Sequence, residues 1–313
     1  MEKSKIFLPA MAVLIVSFFG CSKNNEINTT PKTDAAAQQS TNLKAAVLGT
    51  SSPYKVAYYA FDNGGPNLGV FALNANVVVL FEGTVWALAD TINYPFAQNY
   101  ISSNTNYKSY KALLADIRKL QSKGVKVLYN VDDDPAWQTT TALPTGDRGW
   151  IGSPLSTTQF VDLIRHSVID SLHLDGIALD VEHISSQPNS NYISLVQGLG
   201  KYFGSLSANP ATIYSGGIGG TTIAGDTSVS KYISFVMDMG YFSDNTSRFN
   251  LWANYIGAAK TMIGVSKQYN TLSSAITAAK WQPKGSIHKA GIMVYAGNVD
   301  TSYTGQVLRA VTP

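Results

Sequence analysis

Residues 174–183 read Leu174-Asp175-Gly176-Ile177-Ala178-Leu179-Asp180-Val181-Glu182-His183. From Ile177 onward the run alternates. Ile177, Leu179 and Val181 form an apolar series, and Ala178, Asp180 and Glu182 form a small-and-acidic one. A β-strand sends successive side chains to opposite faces. The two carboxylates therefore share a face, one pleat repeat apart, at the strand's C-terminal end. Upstream, residues 157–173 carry Phe160, Leu163, Ile164, Val168 and Leu172 at the spacing of a helix lying on a sheet. Before that helix, residues 125–132 (VKVLYNVD) form another apolar strand candidate. A strand, a helix and a second strand in that order make a parallel crossover unit.

The same alternation extends through the chain. Strand candidates are 55–60, 76–82, 125–132, 175–182, 212–218, 233–240, 261–265 and 290–295. Several are almost wholly apolar, as parallel strands buried on both faces should be. Residues 107–122 carry a second helical stripe (Tyr110, Leu113, Leu114, Ile117 and Leu120), with Gly124 as its stop signal. From Tyr54 to Pro313 there are 313 − 53 = 260 residues without a linker-like break. The fold class is α/β, and eight strands favour a single (β/α)8 TIM barrel over 54–313. A doubly wound open sheet is the alternative. It is weakened because no G-x-G-x-x-G follows a strand candidate. In a barrel, the acidic pair would stand at the catalytic end. Two close carboxylates there cannot both ionise freely, so one is kept protonated near neutral pH.

Composition narrows the function classes. Charged residues are 14% of the chain and the formal charge is +3, so no strong nucleic-acid footprint is indicated. One cysteine excludes an intramolecular disulfide and a cysteine-based zinc site. The N-terminus has Lys3 and Lys5 ahead of an apolar run, Ile6–Phe19, which is too short to span a bilayer comfortably and suits a signal peptide. Its end, Phe18-Phe19-Gly20-Cys21, resembles a bacterial lipobox. That resemblance implies a leader over 1–20, a lipid on Cys21 and a polar tether over 21–53. The expected location is the cell envelope, as an outer-membrane or secreted lipoprotein whose only membrane attachment is the lipid.

The 174–183 stretch resembles the D-G-x-D-x-D-x-E signature of glycoside hydrolase family 18. Further likeness lies in KVAYYAFD, VVVLFEGTVWALADT, YKSYKALLADIRKLQSKGVKVLYNVDDDPAWQ, TSRFNLWANYIG, AAKWQPKG and AGIMVYAGN. Together these are similar to the flavobacterial F-type endo-β-N-acetylglucosaminidases, above all the member acting on complex biantennary, core-fucosylated N-glycans. The resemblance implies cleavage of the chitobiose core of N-glycans with no cofactor and no metal, by a monomer. It also implies that the substrate's own N-acetyl carbonyl is the nucleophile. Glu182 then matches the general acid and base. Asp180 matches the carboxylate that orients the acetamido group. Tyr241, in Met239-Gly240-Tyr241, matches the hydroxyl that holds the acetyl oxygen. Asp132 falls near the cleft, Met239 beside Tyr241, and Tyr295 at the floor of a sugar subsite. One departure is Ala178, where the family carries an interior Asp. A second is GVSKQYN, residues 264–270, which is unlike the group. Two alternatives use the same barrel: a chitinase, and a glycan-binding protein without catalysis.

Other residues carry weaker signals. Trp86, Trp137 and Trp150 are candidates to stack on the apolar faces of sugars, or to pack. Asp132, Asp133 and Asp134 read as a polar turn rather than a calcium site, which needs more ligands. Trp281 is expected to pack a helix on the barrel. His183 is expected to be a hydrogen-bond partner rather than a base, and Asp238 to assist Tyr241 only if it shares the same face.

Overall fold

Val77–Phe81 is a run of three valines, a leucine and a phenylalanine with all five residues buried. Such a run is stable only in the middle of a sheet covered on both sides. It forms one strand of a parallel sheet in the computed structural model of the chain. The structure describes residues 53–61, 64–71, 74–81, 110–133, 150, 155–184, 188–209, 211–215, 223–243, 245–285 and 287–312. The leader, Cys21, the tether up to residue 52, Trp86, Asp134 and Trp137 lie outside them.

The strands are β1 (Tyr54–Ala60), β2 (Val77–Phe81), β3 (Lys126–Val131), β4 (Gly176–Asp180), β5 (Ala211–Ser215), β6 (Phe235–Asp238), β7 (Thr261–Ser266) and β8 (Gly291–Tyr295). Each pairs in parallel with the next, and β8 pairs back with β1, so the sheet curls round and closes. The α/β class expected from sequence is present, and each strand candidate corresponds to an observed strand. The helix half of the repeat is present in part among the described residues. These include α1 (Leu68–Phe71), α2 (Tyr110–Gln121), α3 (Thr157–Arg165), α4 (Asn189–Leu199), α5 (Asn245–Ile256), α6 (Leu272–Lys280) and α7 (Thr301–Arg309).

Two apolar clusters follow the strand alternation. Val56, Tyr58, Val77, Val79, Leu128, Ala178, Phe235, Met237, Met262 and Met293 pack inside the curled sheet. Their neighbours Ala57, Val78, Val127, Ile177, Leu179, Val236, Ile263 and Ile292 pack against the helices. Tyr54 and Phe235 meet near the strands' N-terminal ends, with ring centroids 4.4 Å apart. The β6–β7 seam has only two register pairs, Val236↔Thr261 and Met237↔Met262. Beyond it, a Cβ on Gly264 would lie 1.7 Å from the carbonyl oxygen of Asp238. Only glycine lets the two backbones come this close.

The helix ends follow from local chemistry. Ser156 and Gln159 make a capping box ahead of α3, each side chain reaching the other's backbone N–H. The helix expected over 157–173 is α-helical only to Arg165. His166–Ser171 continues it as wider π-helical turns. Asp175, the first acid of the decisive stretch, works at the opposite end of the sheet from Asp180. It accepts from the Val127 N–H at 2.9 Å and from Gln121 Nε2 at 2.9 Å, and it pairs with Lys126 at 3.0 Å. It joins α2, β3 and β4, so its role is structural.

Candidate active site

The face assignment made from sequence holds on β4. Ala178 lies in the interior cluster, while Ile177, Leu179 and Val181 lie on the helix side. Asp180 is the last residue of β4 and is 3% exposed. Glu182 follows two residues later and is exposed to solvent. The pair thus divides into an embedded carboxylate at the strand end and an accessible one just beyond it.

Around Asp180 the interior is aromatic. Burial pushes the Tyr58 hydroxyl well above its ordinary range, and the nearby Asp180 carboxylate, Tyr241 and Tyr295 push it further. Tyr58 therefore stays a neutral phenol beside the acid. Tyr295 stacks on Tyr241 with centroids 5.5 Å apart and planes 14° apart. Tyr269 covers Tyr241 as well, at 5.4 Å and 28°. The two stacked rings hold the Tyr241 ring in place. Its carbonyl accepts from Asn270 Nδ2 at 2.9 Å, and Asn270 Oδ1 in turn accepts the Ser266 N–H at 2.9 Å. The 264–270 stretch, which sequence left without a role, therefore buttresses Tyr241.

Met239 is buried in the interior cluster beside Tyr241. Asp132 is half-buried, and its carbonyl accepts the Trp150 N–H at 2.7 Å. Trp150 itself is buried and meets Tyr192 edge-on at 5.1 Å, so it packs. Trp281 meets Phe249 of α5 edge-on at 5.1 Å, as expected for helix packing. Asp238 sits on the helix-facing side of β6. Its carboxylate pairs with Arg248 and accepts Trp252 Nε1 at 2.9 Å. This removes Asp238 from the interior face that carries Tyr241. A Cβ on Gly240 would sit 2.2 Å from Arg248 Nε, which explains glycine between Met239 and Tyr241.

One expectation is overturned. Asp133 is not part of a solvated turn: it is 3% exposed and accepts hydrogen bonds from several donors. Its oxygens take the Glu182 N–H at 3.0 and 3.1 Å and the His183 N–H at 2.9 Å. They also take the Tyr192 hydroxyl at 2.7 Å and lie 3.0 Å from His183 Nδ1. The missed signal was parity. Asp133 alternates with Val131 and Val127, so it points to the helices, where an ionised side chain must find partners. His183 is a hydrogen-bond partner, as expected.

Among the described residues, no group of three or more His, Cys, Asp or Glu side chains is arranged to hold a metal. Among them also, no helix is long and apolar enough to cross a membrane.

No family model matches the chain. Solved structures with a similar fold do exist. One is an endo-β-N-acetylglucosaminidase mutant from Cordyceps militaris in complex with fucosyl-N-acetylglucosamine-Asn. It is 19% identical over 91% of this chain and 98% of its own, with a TM-score of 0.57. A family 18 chitinase from Pseudoalteromonas aurantia is 16% identical over 82% of this chain and 98% of its own, at 0.57. The catalytic domain of a fern family 18 chitinase is 18% identical over 83% of this chain and 100% of its own, at 0.52. The chain therefore shares the α/β fold of these glycoside hydrolases.

Proposed function

We propose that the chain is a glycosidase, an endo-β-N-acetylglucosaminidase that cuts the chitobiose core of N-linked glycans. The observation that carries this reading is the β4 end: Asp180 buried near Tyr58, which Tyr241 and Tyr295 also adjoin, with Glu182 exposed two residues on. Residues 54–313 are read as a single (β/α)8 catalytic barrel, nearest in kind to the F-type enzymes. Residues 1–20 are read as a leader, and 21–53 as a lipidated Cys21 with its tether at the cell envelope.

Glu182 protonates the leaving glycosidic oxygen and then takes a proton from the incoming water. The substrate's N-acetyl carbonyl attacks the anomeric carbon, giving an oxazolinium ion and a retained configuration. Asp180 lies deeper, where it accepts the acetamido N–H and stabilises the positive charge that develops on it. The Tyr241 hydroxyl holds the acetyl oxygen. Asp132, Tyr295 and Met239 are the proposed substrate contacts, and Trp86 and Trp137, outside the described residues, are proposed as sugar-stacking side chains. N-glycans of glycoproteins are the proposed partners, and no cofactor takes part.

The test is mass spectrometry of glycopeptides after incubation with the purified protein, across high-mannose, hybrid and complex glycans. A single N-acetylglucosamine, with or without fucose, is expected to remain on the asparagine. Turnover of chitin oligomers with untouched glycopeptides would replace this reading by a chitinase. Binding without cleavage of either would replace it by a glycan-binding protein.

A further inference from the structure

We propose that Asp133 is a positioning residue that fixes the main chain carrying Glu182. The β3–β4 ladder pairs Leu128↔Gly176 through Val131↔Leu179, and β4 ends at Asp180. The N–H groups of Glu182 and His183 lie past that end, where a strand normally loses its partners. A backbone N–H left unpaired at such a place is costly, so it needs an acceptor. The Asp133 carboxylate, two residues past Val131 on the adjoining strand, supplies one. It continues the ladder with a side chain instead of a carbonyl.

The donor set fits an ionised carboxylate and little else. Two backbone N–H groups, the Tyr192 hydroxyl and His183 Nδ1 converge on its two oxygens. An ionised carboxylate offers about four lone-pair sites and no proton. With Asp133 as acceptor, the His183 proton belongs on Nδ1, which fixes the ring. Tyr192 comes from α4, so the clamp ties β3, the segment after β4, and the following helix together at one oxygen. Asp133 itself is turned to the helix side and does not face the interior with Asp180. Its effect on the reaction runs through the placement of Glu182, and the proposal rests on Glu182 being the general acid and base.

The experiment compares wild type with Asp133→Asn and Tyr192→Phe. The amide keeps the shape of Asp133 but turns an N–H₂ toward groups that are already donors. The Tyr192 change removes one donor and leaves the carboxylate. Hydrogen–deuterium exchange of a peptide covering 181–184, read against peptides from β1 and β8, measures the clamp without any substrate. Exchange there is expected to rise at least about tenfold in Asp133→Asn, and less in Tyr192→Phe, while β1 and β8 are unchanged. Kinetics on an N-glycopeptide should show kcat down by about tenfold or more with KM within about twofold. The loss should shrink on an aryl glycoside whose leaving group needs no proton. Unchanged exchange at 181–184 overturns the proposal, as does equal kinetic loss on both substrates. If Asp133→Asn does not fold, Tyr192→Phe decides by the same readouts. If wild type cleaves neither substrate but exchange responds as expected, the clamp stands and the role of Glu182 fails.

Discussion

Tyr241 separates two contributions that a single alanine variant would confuse. Its ring stacks with both Tyr295 and Tyr269, and its hydroxyl is the proposed contact to the acetyl oxygen. Tyr241→Phe keeps the stack and loses the hydroxyl. Its melting temperature is expected to stay within about 2 °C of wild type, with kcat reduced about 10–100-fold. Tyr241→Ala also removes the ring on which Tyr295 and Tyr269 stack, so both melting temperature and activity should fall. Thermal unfolding and steady-state kinetics on the same preparations check both statements. Sequence parity marked Asp180 and Glu182 as a pair; Asp180 is buried at the end of β4 and Glu182 is exposed just beyond it. Asp133 and Arg248 were not marked as site residues. Their importance comes from partners 49 and 10 positions away that meet only in three dimensions.

At the level of elements, the sheet closes where β8 meets β1, and a side chain reinforces the seam. Asn298 is 1% exposed; its Nδ2 donates to the carbonyls of Ala60 and Gly64, and its Oδ1 accepts the Ala60 N–H at 2.9 Å. Asn298→Ala leaves these groups without that partner, so unfolding free energy should fall by roughly 2–4 kcal/mol. Urea denaturation measures this, and an unchanged midpoint would show that water replaces the side chain without cost. Strands were readable from sequence because β-branched runs such as Val77–Val79 leave few alternatives. Their ends were less so: the candidate 175–182 runs two residues past the ladder, since the alternation of Val181 and Glu182 persists after pairing has stopped. The change from α to π turns at His166 has no sequence mark comparable to the Ser156 cap.

For the whole molecule, one buried base links stability to pH. Lys289 is 3% exposed, and burial pushes its ammonium down to about 8. Its Nζ donates to the carbonyls of Ala279 and Trp281, closing the C-terminal end of α6. Unfolded, a lysine titrates near 10.4. Between about 8 and 10.4 the unfolded chain holds a proton that the folded chain has released, so stability rises with pH across that window. Below about 8 both states are protonated and the burial cost is fully present. Relative to Lys289→Met, wild type should therefore gain melting temperature from pH 7.5 to 9.5. That range stays below the titration of Tyr59 and Tyr303, which burial pushes up to about 12. A constant difference across the range would contradict the shift.

Of the two carboxylates at the end of β4, Glu182 is the more exposed. The most direct measurement is the initial rate of glycan release from an N-glycopeptide by wild type and Glu182→Gln, with matched folding. Glu182→Gln is expected to be slower by about 100-fold or more, because the amide can neither donate the proton to the leaving oxygen nor take one from water. Equal rates for the two proteins would contradict it.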